Sequence, residues 1–224
     1  MVGRPGWLDE ATLRRIDMHV HTAASFDSDS EPEAVFRRCR RLGLDPVFVT
    51  DHDTLDAALR LREAHPGSVV VGQEVTTTVG EVIGLFLESS IPRGLDPLAA
   101  VGEIKAQGGL VYLEHPTDRS RRSLSTESIE QIADSIDVVE VHNSRSGSLA
   151  NKQAEDLCAV LGSAAGAGSD AHRVEEIGSV YVELPDFNSP AGLLTALRHG
   201  RIVRAPNRAV MTARGLLMTT IGRR

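Results

Sequence analysis

Short apolar runs alternate with amphipathic stretches along most of the 224-residue chain, and six of the apolar runs end on a metal-type side chain. The first run, from about Arg14 to Val20, predicts a strand that enters a polar loop, Thr22 to Ser30. A helix follows over about Glu31 to Leu42, with Pro32 suited to its first turn and Gly43 to its stop. Pro46 to Thr50 reads as a second strand and Leu55 to Ala64 as a second helix. Ser68 to Gly72 is a third strand, and 75–80 with 81–87 form extended segments that reverse at Val79-Gly80. Helices are expected over about 97–107, 127–134, 149–161 and 190–199, and strands over 110–113, 136–141, 163–168 and 179–184. Ile202-Val203 is a last extended piece, and the Gly and Ala of 163–168 suit close packing.

Strand and helix alternate at least six times, which predicts an α/β fold with a parallel sheet and helical crossovers. An open sheet and a barrel both gather ligands at the C-terminal ends of strands, but only a barrel brings nearly every end to one mouth. The polar residues favour the barrel. His19 and His21 follow strand one, Asp51 and His52 strand two, Glu74 strand three and His115 strand four. Glu140 and His142 flank the end of strand five, and Asp170 and His172 leave strand six. Six of the eight histidines thus stand at strand exits, whereas His65 and His199 have ordinary structural surroundings.

Composition narrows the setting. With 41% hydrophobic and 25% charged residues the chain is ordinary globular material, and a net charge of -7 argues against a nucleic-acid-coating protein. Cys39 and Cys158 fall in predicted helices outside any CxxC pattern and read as buried hydrophobes, so a reducing, cytoplasmic setting is expected. Met1 to Leu8 offers too short an apolar run for a leader, and no run is long enough to cross a bilayer. From Leu193 onward there are seven arginines and no acid, which sets 205–224 apart as a basic tail.

Asp17, His19 and His21 alternate, and residues two apart on a strand share a face, so the two imidazoles project together. Carboxylates mixed with imidazoles, without thiolate, suit Zn, Mn or Fe in a hydrolytic site better than structural zinc. So many ligands imply two or three divalent ions, a setting for water attack on a phosphate ester.

The motifs Asp17-x-His19-x-His21, Thr50-Asp51-His52, Gly72-x-Glu74, His115-Pro116 and Ser169-Asp170-x-His172 together resemble the PHP family, named for polymerase and histidinol phosphatase domains. The segment from Gly168 onward resembles the C-terminal portion of small stand-alone PHP phosphoesterases. The resemblance implies a distorted TIM-like (β/α)7 barrel over 1–204, with a PHP-associated portion from about 140, and a trinuclear site. By position it implies that His19, His21, Glu74 and Asp170 hold one ion, that Glu74 bridges to a second held by His115, and that His52 and His172 hold a third.

The loop after strand one reads Ala-Ala-Ser-Phe-Asp-Ser-Asp-Ser, so Asp27 and Asp29 compete for the acid of the third site, and Asp27 is preferred. For the second ion Glu81, on the hairpin after Glu74, is preferred to His142. Asp17 and Asp51 are expected to orient ligand imidazoles. Arg119 and Arg145, with Asn143 beside the latter, are candidate phosphate contacts, and His142 or His172 is the candidate proton donor to the leaving oxygen. The expected substrate is a small phosphorylated metabolite or nucleotide, with histidinol phosphate or a short oligonucleotide as alternatives. A metal-stabilised domain that docks a partner is the non-enzymatic alternative.

Overall fold

The computed structural model describes residues 13–205. Six strands form one curled sheet in chain order: β2 (Val47–His52), β3 (Val69–Thr77), β4 (Gly80–Leu85), β5 (Leu110–Leu113), β6 (Val138–Asn143) and β7 (Ala164–Gly168). Pairs β2–β3, β5–β6 and β6–β7 are parallel, whereas β4 runs antiparallel to both of its neighbours. The segment after β1 (Arg14–Ile16) closes the ring as its seventh stave. Met18 N–H donates to the Ala167 carbonyl at 3.2 Å, Thr50 N–H donates to the Val20 carbonyl at 2.9 Å, and Val20 bridges Ala171. The molecule is a distorted TIM-like α/β barrel, the distortion being the antiparallel hairpin.

Two expectations need correction. The third strand and the first arm of the hairpin are one fully buried strand, β3, because Gln73 keeps its polar groups satisfied in the sheet interior. Its Nε2 donates to the Ile91 carbonyl at 2.7 Å and its Oε1 accepts from Ile91 N–H at 3.0 Å. The strand at β8 (Val180–Leu184) is not a stave of the ring. It pairs antiparallel with β1 and with β9 (Arg201–Arg204) in a separate three-stranded sheet.

Helices α1 (Pro32–Leu42), α2 (Asp56–Ala64), α3 (Pro97–Ala106), α4 (Thr126–Ile132), α5 (Ser148–Leu161) and α6 (Pro190–Leu197) connect the strands. Gly43 ends α1 at φ 72°, where an L side chain would be strained. Asp96, Ser125 and Ser189 cap α3, α4 and α6 through side-chain acceptors.

Period-two alternation sorts the strands into two apolar layers. Val47, Val49, Val69, Val71, Val111, Leu113 and Val139 belong to the core shared with buried helical residues such as Val35, Leu61 and Ile104. Phe48, Val70, Ile83, Tyr112, Val138 and Ala167 face the other way and fill the barrel interior with Ile16 and Met18. Continuing along each strand on that inner face leads from Phe48 to His52, Val70 to Glu74, Ile83 to Glu81, Tyr112 to Glu114 and Val138 to Glu140. The apolar plug therefore ends in a ring of acids and imidazoles at one mouth.

Candidate metal centre

Four donor atoms converge at the floor of that mouth. His19 Nε2 and His21 Nε2 are 3.0 Å apart, and each approaches Glu74 Oε2, at 3.3 and 3.2 Å. Asp170 Oδ1 stands 3.7 and 3.5 Å from the same two nitrogens. Donors about 2.0–2.2 Å from a shared ion lie roughly 3 to 3.5 Å from one another, so this spacing matches a coordination shell. Towards the rim, Asp27 Oδ2 is 3.0 Å from His172 Nε2 and 3.5 Å from His52 Nε2. On the far side of Glu74, its Oε1 lies 3.2 Å from His115 Nε2.

The ring nitrogens away from the cluster are committed elsewhere. His19 Nδ1 meets Glu140 Oε1 at 3.2 Å, His21 Nδ1 meets Ser25 Oγ at 3.0 Å, and His172 Nδ1 meets the Asp170 carbonyl at 2.9 Å. A metal ion would need the proton held on Nδ1 of His19 and His21, leaving each Nε2 lone pair to the shared space, while His172 Nδ1 also faces the Arg145 guanidinium. His52 differs: its Nδ1 is buried without a hydrogen-bond partner, 3.4 Å from Glu74 Oε2. An orphaned imidazole nitrogen beside carboxylates fits a cation better than a proton network. The donor set holds no thiolate, since Cys39 and Cys158 are free, buried and outside these clusters.

Electrostatics agree. Burial disfavours a charged His19, yet Asp170, Glu140 and Glu74 outweigh it and hold its pKa well above the usual imidazole value. Burial also opposes a charged His21, but hydrogen bonds to Asp170 and Glu74 push its pKa up to about 9. Burial would raise Glu74 and Asp170, but the charge of His19 leads the forces that bring both below the ordinary carboxylate value. In Glu81 burial, reinforced by Glu74, raises the pKa to about 7. The acids of the floor need positive charge, which protons supply here and metal ions would supply when bound.

The backbone is shaped to the same end. His115 and Asp170 have φ of 30° and 52°, sparsely populated values for non-glycine residues, and both turn their side chains into the mouth. Gly168 lies so close to His19 that a Cβ there would fall 2.3 Å from the His19 Cβ. Only glycine allows this approach of β7 to the histidine stave.

Of the sequence candidates, His19, His21, Asp27, His52, Glu74, His115, Asp170 and His172 come together, while Asp29 is exposed and outside the cavity lining. Glu81 is also present, but its nearest candidate donors are His52 and Glu74 rather than His115. Beside His115 and Glu74 stands Glu114, whose Oε1 is buried and unpartnered. Sequence reasoning passed over Glu114. Its signal was the inward period-two position after Tyr112.

The other six candidates do not line the cavity. His142 does not line the cavity: a β-bulge between Glu140 and His142 shifts the register, and burial, with Arg204 nearby, lowers the pKa of the ring against the opposing charges of Glu140 and Glu155. Asn143 is turned in instead, and its Nδ2 donates to Glu140 Oε2 at 2.9 Å and Asp170 Oδ2 at 3.2 Å. Arg145 packs behind His172, beside Nδ1 and the Asp170 carbonyl, outside the cavity lining. Arg119 is exposed and outside it too, because the turn closed by Arg121 N–H on the Asp118 carbonyl presents Arg121 and Arg122 instead. Arg121 Nη2 is 3.1 Å from Asp170 Oδ2, and Arg122 Nε is 3.4 Å from Glu81 Oε1. Finally, Asp17 and Asp51 touch no ligand ring. Asp17 accepts from Ser169 and Gly178 N–H, whereas Asp51 bears on His21 through Ser25 Oγ, 2.8 Å away, and Glu140 meets the outer nitrogen of the His19 ring.

A family model described as the PHP domain matches residues 17–167, and one described as PHP-associated matches 148–202. The chain belongs to the PHP family. The uncharacterized protein MJ0417 of Methanocaldococcus jannaschii is 34% identical over 196 residues, which span 82% of this chain and 79% of that protein. Among solved structures, a two-domain protein from Bacteroides vulgatus containing a predicted PHP-like metal-dependent phosphoesterase superposes with a TM-score of 0.71. It is 22% identical, covering 90% of this chain and 67% of that one. The lesion-specific endonuclease PfuEndoQ of Pyrococcus furiosus superposes with a TM-score of 0.62 at 14% identity, over 88% of this chain and 60% of that one. Both likenesses are of the fold. Divalent-metal dependence is the family's character, and the His, Glu and Asp clusters suit it.

Proposed function

We propose that this PHP chain is a hydrolase that cleaves a phosphate ester of a small metabolite or nucleotide. The observation that carries the reading is the convergence of His19, His21, Glu74 and Asp170 beneath a cavity of about 170 Å³ whose wall carries Arg121 and Arg122.

We assign His19, His21, Glu74 and Asp170 to one divalent ion, Glu74 and His115 with Glu81 or Glu114 to a second, and Asp27, His52 and His172 to a third. Bound Zn, Mn or Fe there supplies Lewis acidity to a phosphoryl oxygen and to the attacking water. Arg121 and Arg122 present guanidinium forks to the phosphoryl oxygens and exchange their contacts with Asp170 and Glu81 for the substrate. Glu140 and the Asp51–Ser25 pair hold His19 and His21 in a single tautomer and orientation. His172 is assigned to the ligand set rather than to proton transfer, since its Nδ1 is enclosed by the Asp170 carbonyl and the Arg145 guanidinium and its Nε2 faces Asp27.

The test is phosphate release by protein reconstituted with Mn, Zn or Fe. The panel contains histidinol phosphate, nucleoside monophosphates, 3′,5′-bisphosphates and short oligonucleotides. Turnover of a monophosphate supports the reading. Turnover confined to oligonucleotides favours an exonuclease, and metal bound with no turnover on any ester favours the structural role.

A further inference from the structure

The cavity rim carries one side chain that neither metal binding nor the fold explains. Phe26 lies on the loop after the histidine stave, lines the cavity beside Asp27 and His52, and is 83% exposed. It is the only strongly exposed aromatic residue among the described residues, the other exposed large hydrophobics being Val79, Leu98, Leu149 and Val160. Its ring is not adrift. One side meets the His52 ring, with centroids 4.9 Å apart and planes at 30°, and His52 in turn stacks on His21 at 4.7 Å and 29°. Phe26 thus ends a short column of rings that rises from the floor, with its outer side left to solvent.

Ser120, Arg121 and Arg122 form another part of the cavity wall. The cavity therefore offers donors at its floor, guanidinium groups on the wall and an aromatic face at the rim. A phosphate ester bound with its phosphoryl group at the floor must direct its alcohol portion outward, past the rim. A flat ring on that alcohol can stack on the free side of Phe26, whereas an aliphatic alcohol gains little there.

We propose that Phe26 is a specificity-determining platform that selects phosphate esters carrying a planar ring, nucleoside monophosphates foremost. The inference rests on the phosphoesterase reading for its catalytic consequence, though ring binding can be measured without turnover.

The experiment compares adenosine 5′-monophosphate with glycerol phosphate on Mn-reconstituted wild type, Phe26→Ala, Phe26→Leu and Phe26→Trp. The kcat/KM ratio favouring adenosine monophosphate should fall about tenfold in Phe26→Ala and Phe26→Leu, mostly through KM, and return in Phe26→Trp. Calorimetric binding of adenosine monophosphate against inorganic phosphate supplies a second readout. Wild type should prefer the nucleotide, and Phe26→Ala should lose that preference. An unchanged ratio and an unchanged binding preference overturn the inference, as does an equal loss on both substrates, which would mean that Phe26 acts by placing Asp27. If wild type hydrolyses no ester of the wider panel but binds the nucleotide through Phe26, the platform stands and the phosphoesterase reading falls.

Discussion

His19 Nδ1 lies 3.2 Å from Glu140 Oε1, and both side chains are fully enclosed. Glu140 is itself fixed by three donors: Tyr112 Oη at 3.0 Å, His115 N–H at 2.8 Å and Asn143 Nδ2 at 2.9 Å. It connects the first histidine of the stave to the turn that presents His115. Replacing it with glutamine removes the charge while keeping the shape and turns an amide NH2 against groups that donate to the carboxylate, so His19 is held less firmly without a cavity forming. Metal affinity in Glu140→Gln is expected to fall about 10- to 100-fold. Titration with Zn against a competing chelator measures this, and wild-type affinity would contradict the role.

Gly168 sets the distance between β7 and His19. An alanine methyl would meet the His19 Cβ at 2.3 Å and Glu140 Oε1 at 2.7 Å, and one of those contacts is with the rigid stem of a buried side chain. Overpacking of this kind costs about 1–3 kcal/mol. Urea unfolding of metal-free Gly168→Ala should show that loss relative to metal-free wild type. An equal midpoint and slope would mean that the stave can shift.

Chelation should remove activity and leave the barrel standing. The interior plug around Phe48, Val70, Ile83 and Tyr112 and the core under the helices do not pass through the metal centre. The helical circular-dichroism signal is expected to persist after chelation. Thermal stability should rise on adding Mn or Zn, because an ion that binds only the folded chain stabilises it by mass action. Collapse of the signal on chelation would favour a structural role for the metals.

Metal binding should be coupled to proton release. Burial opposes a charged His21, but its hydrogen bonds to Asp170 and Glu74 push the pKa up to about 9 in the metal-free protein, so the ring is protonated at neutral pH. A metal ion needs the neutral ring. Below about 9, binding therefore expels this proton and apparent affinity rises with pH, about tenfold per unit for each proton released. Above about 9 the dependence on His21 flattens. Calorimetry in two buffers of different ionisation enthalpy counts the protons, and a pH-independent affinity between 6 and 8 would count against the coupling.

His19→Ala and Asp170→Ala each remove a donor from the four-atom floor. Both are expected to lower phosphate release at least about 100-fold with the barrel retained. Activity close to wild type in either variant would exclude that residue from the ligand set. Arg121→Ala and Arg122→Ala should act mainly on KM, and the same substitution at Arg119, which is exposed and off the cavity, should do less.

The alternation of apolar and polar positions, the helix stops and the positions of most candidate metal donors were legible in the chain because they are local properties. Period two determines which residues of a strand share a face. The exits of successive strands are where polar side chains can leave the core. His19, His21, Glu74, His115 and Asp170 could thus be found without coordinates. Tertiary structure alone decided which neighbours these residues meet. A bulge at Val141 depends on how β6 pairs with β7, and it turned Asn143 inward and kept His142 from the cavity. The turn after His115 depends on Asp118 and Ser123, and it chose Arg121 and Arg122 over Arg119. Glu140 meets His19 across 121 positions of sequence. No local periodicity encodes such a contact, because it exists only once the ring of strands has closed.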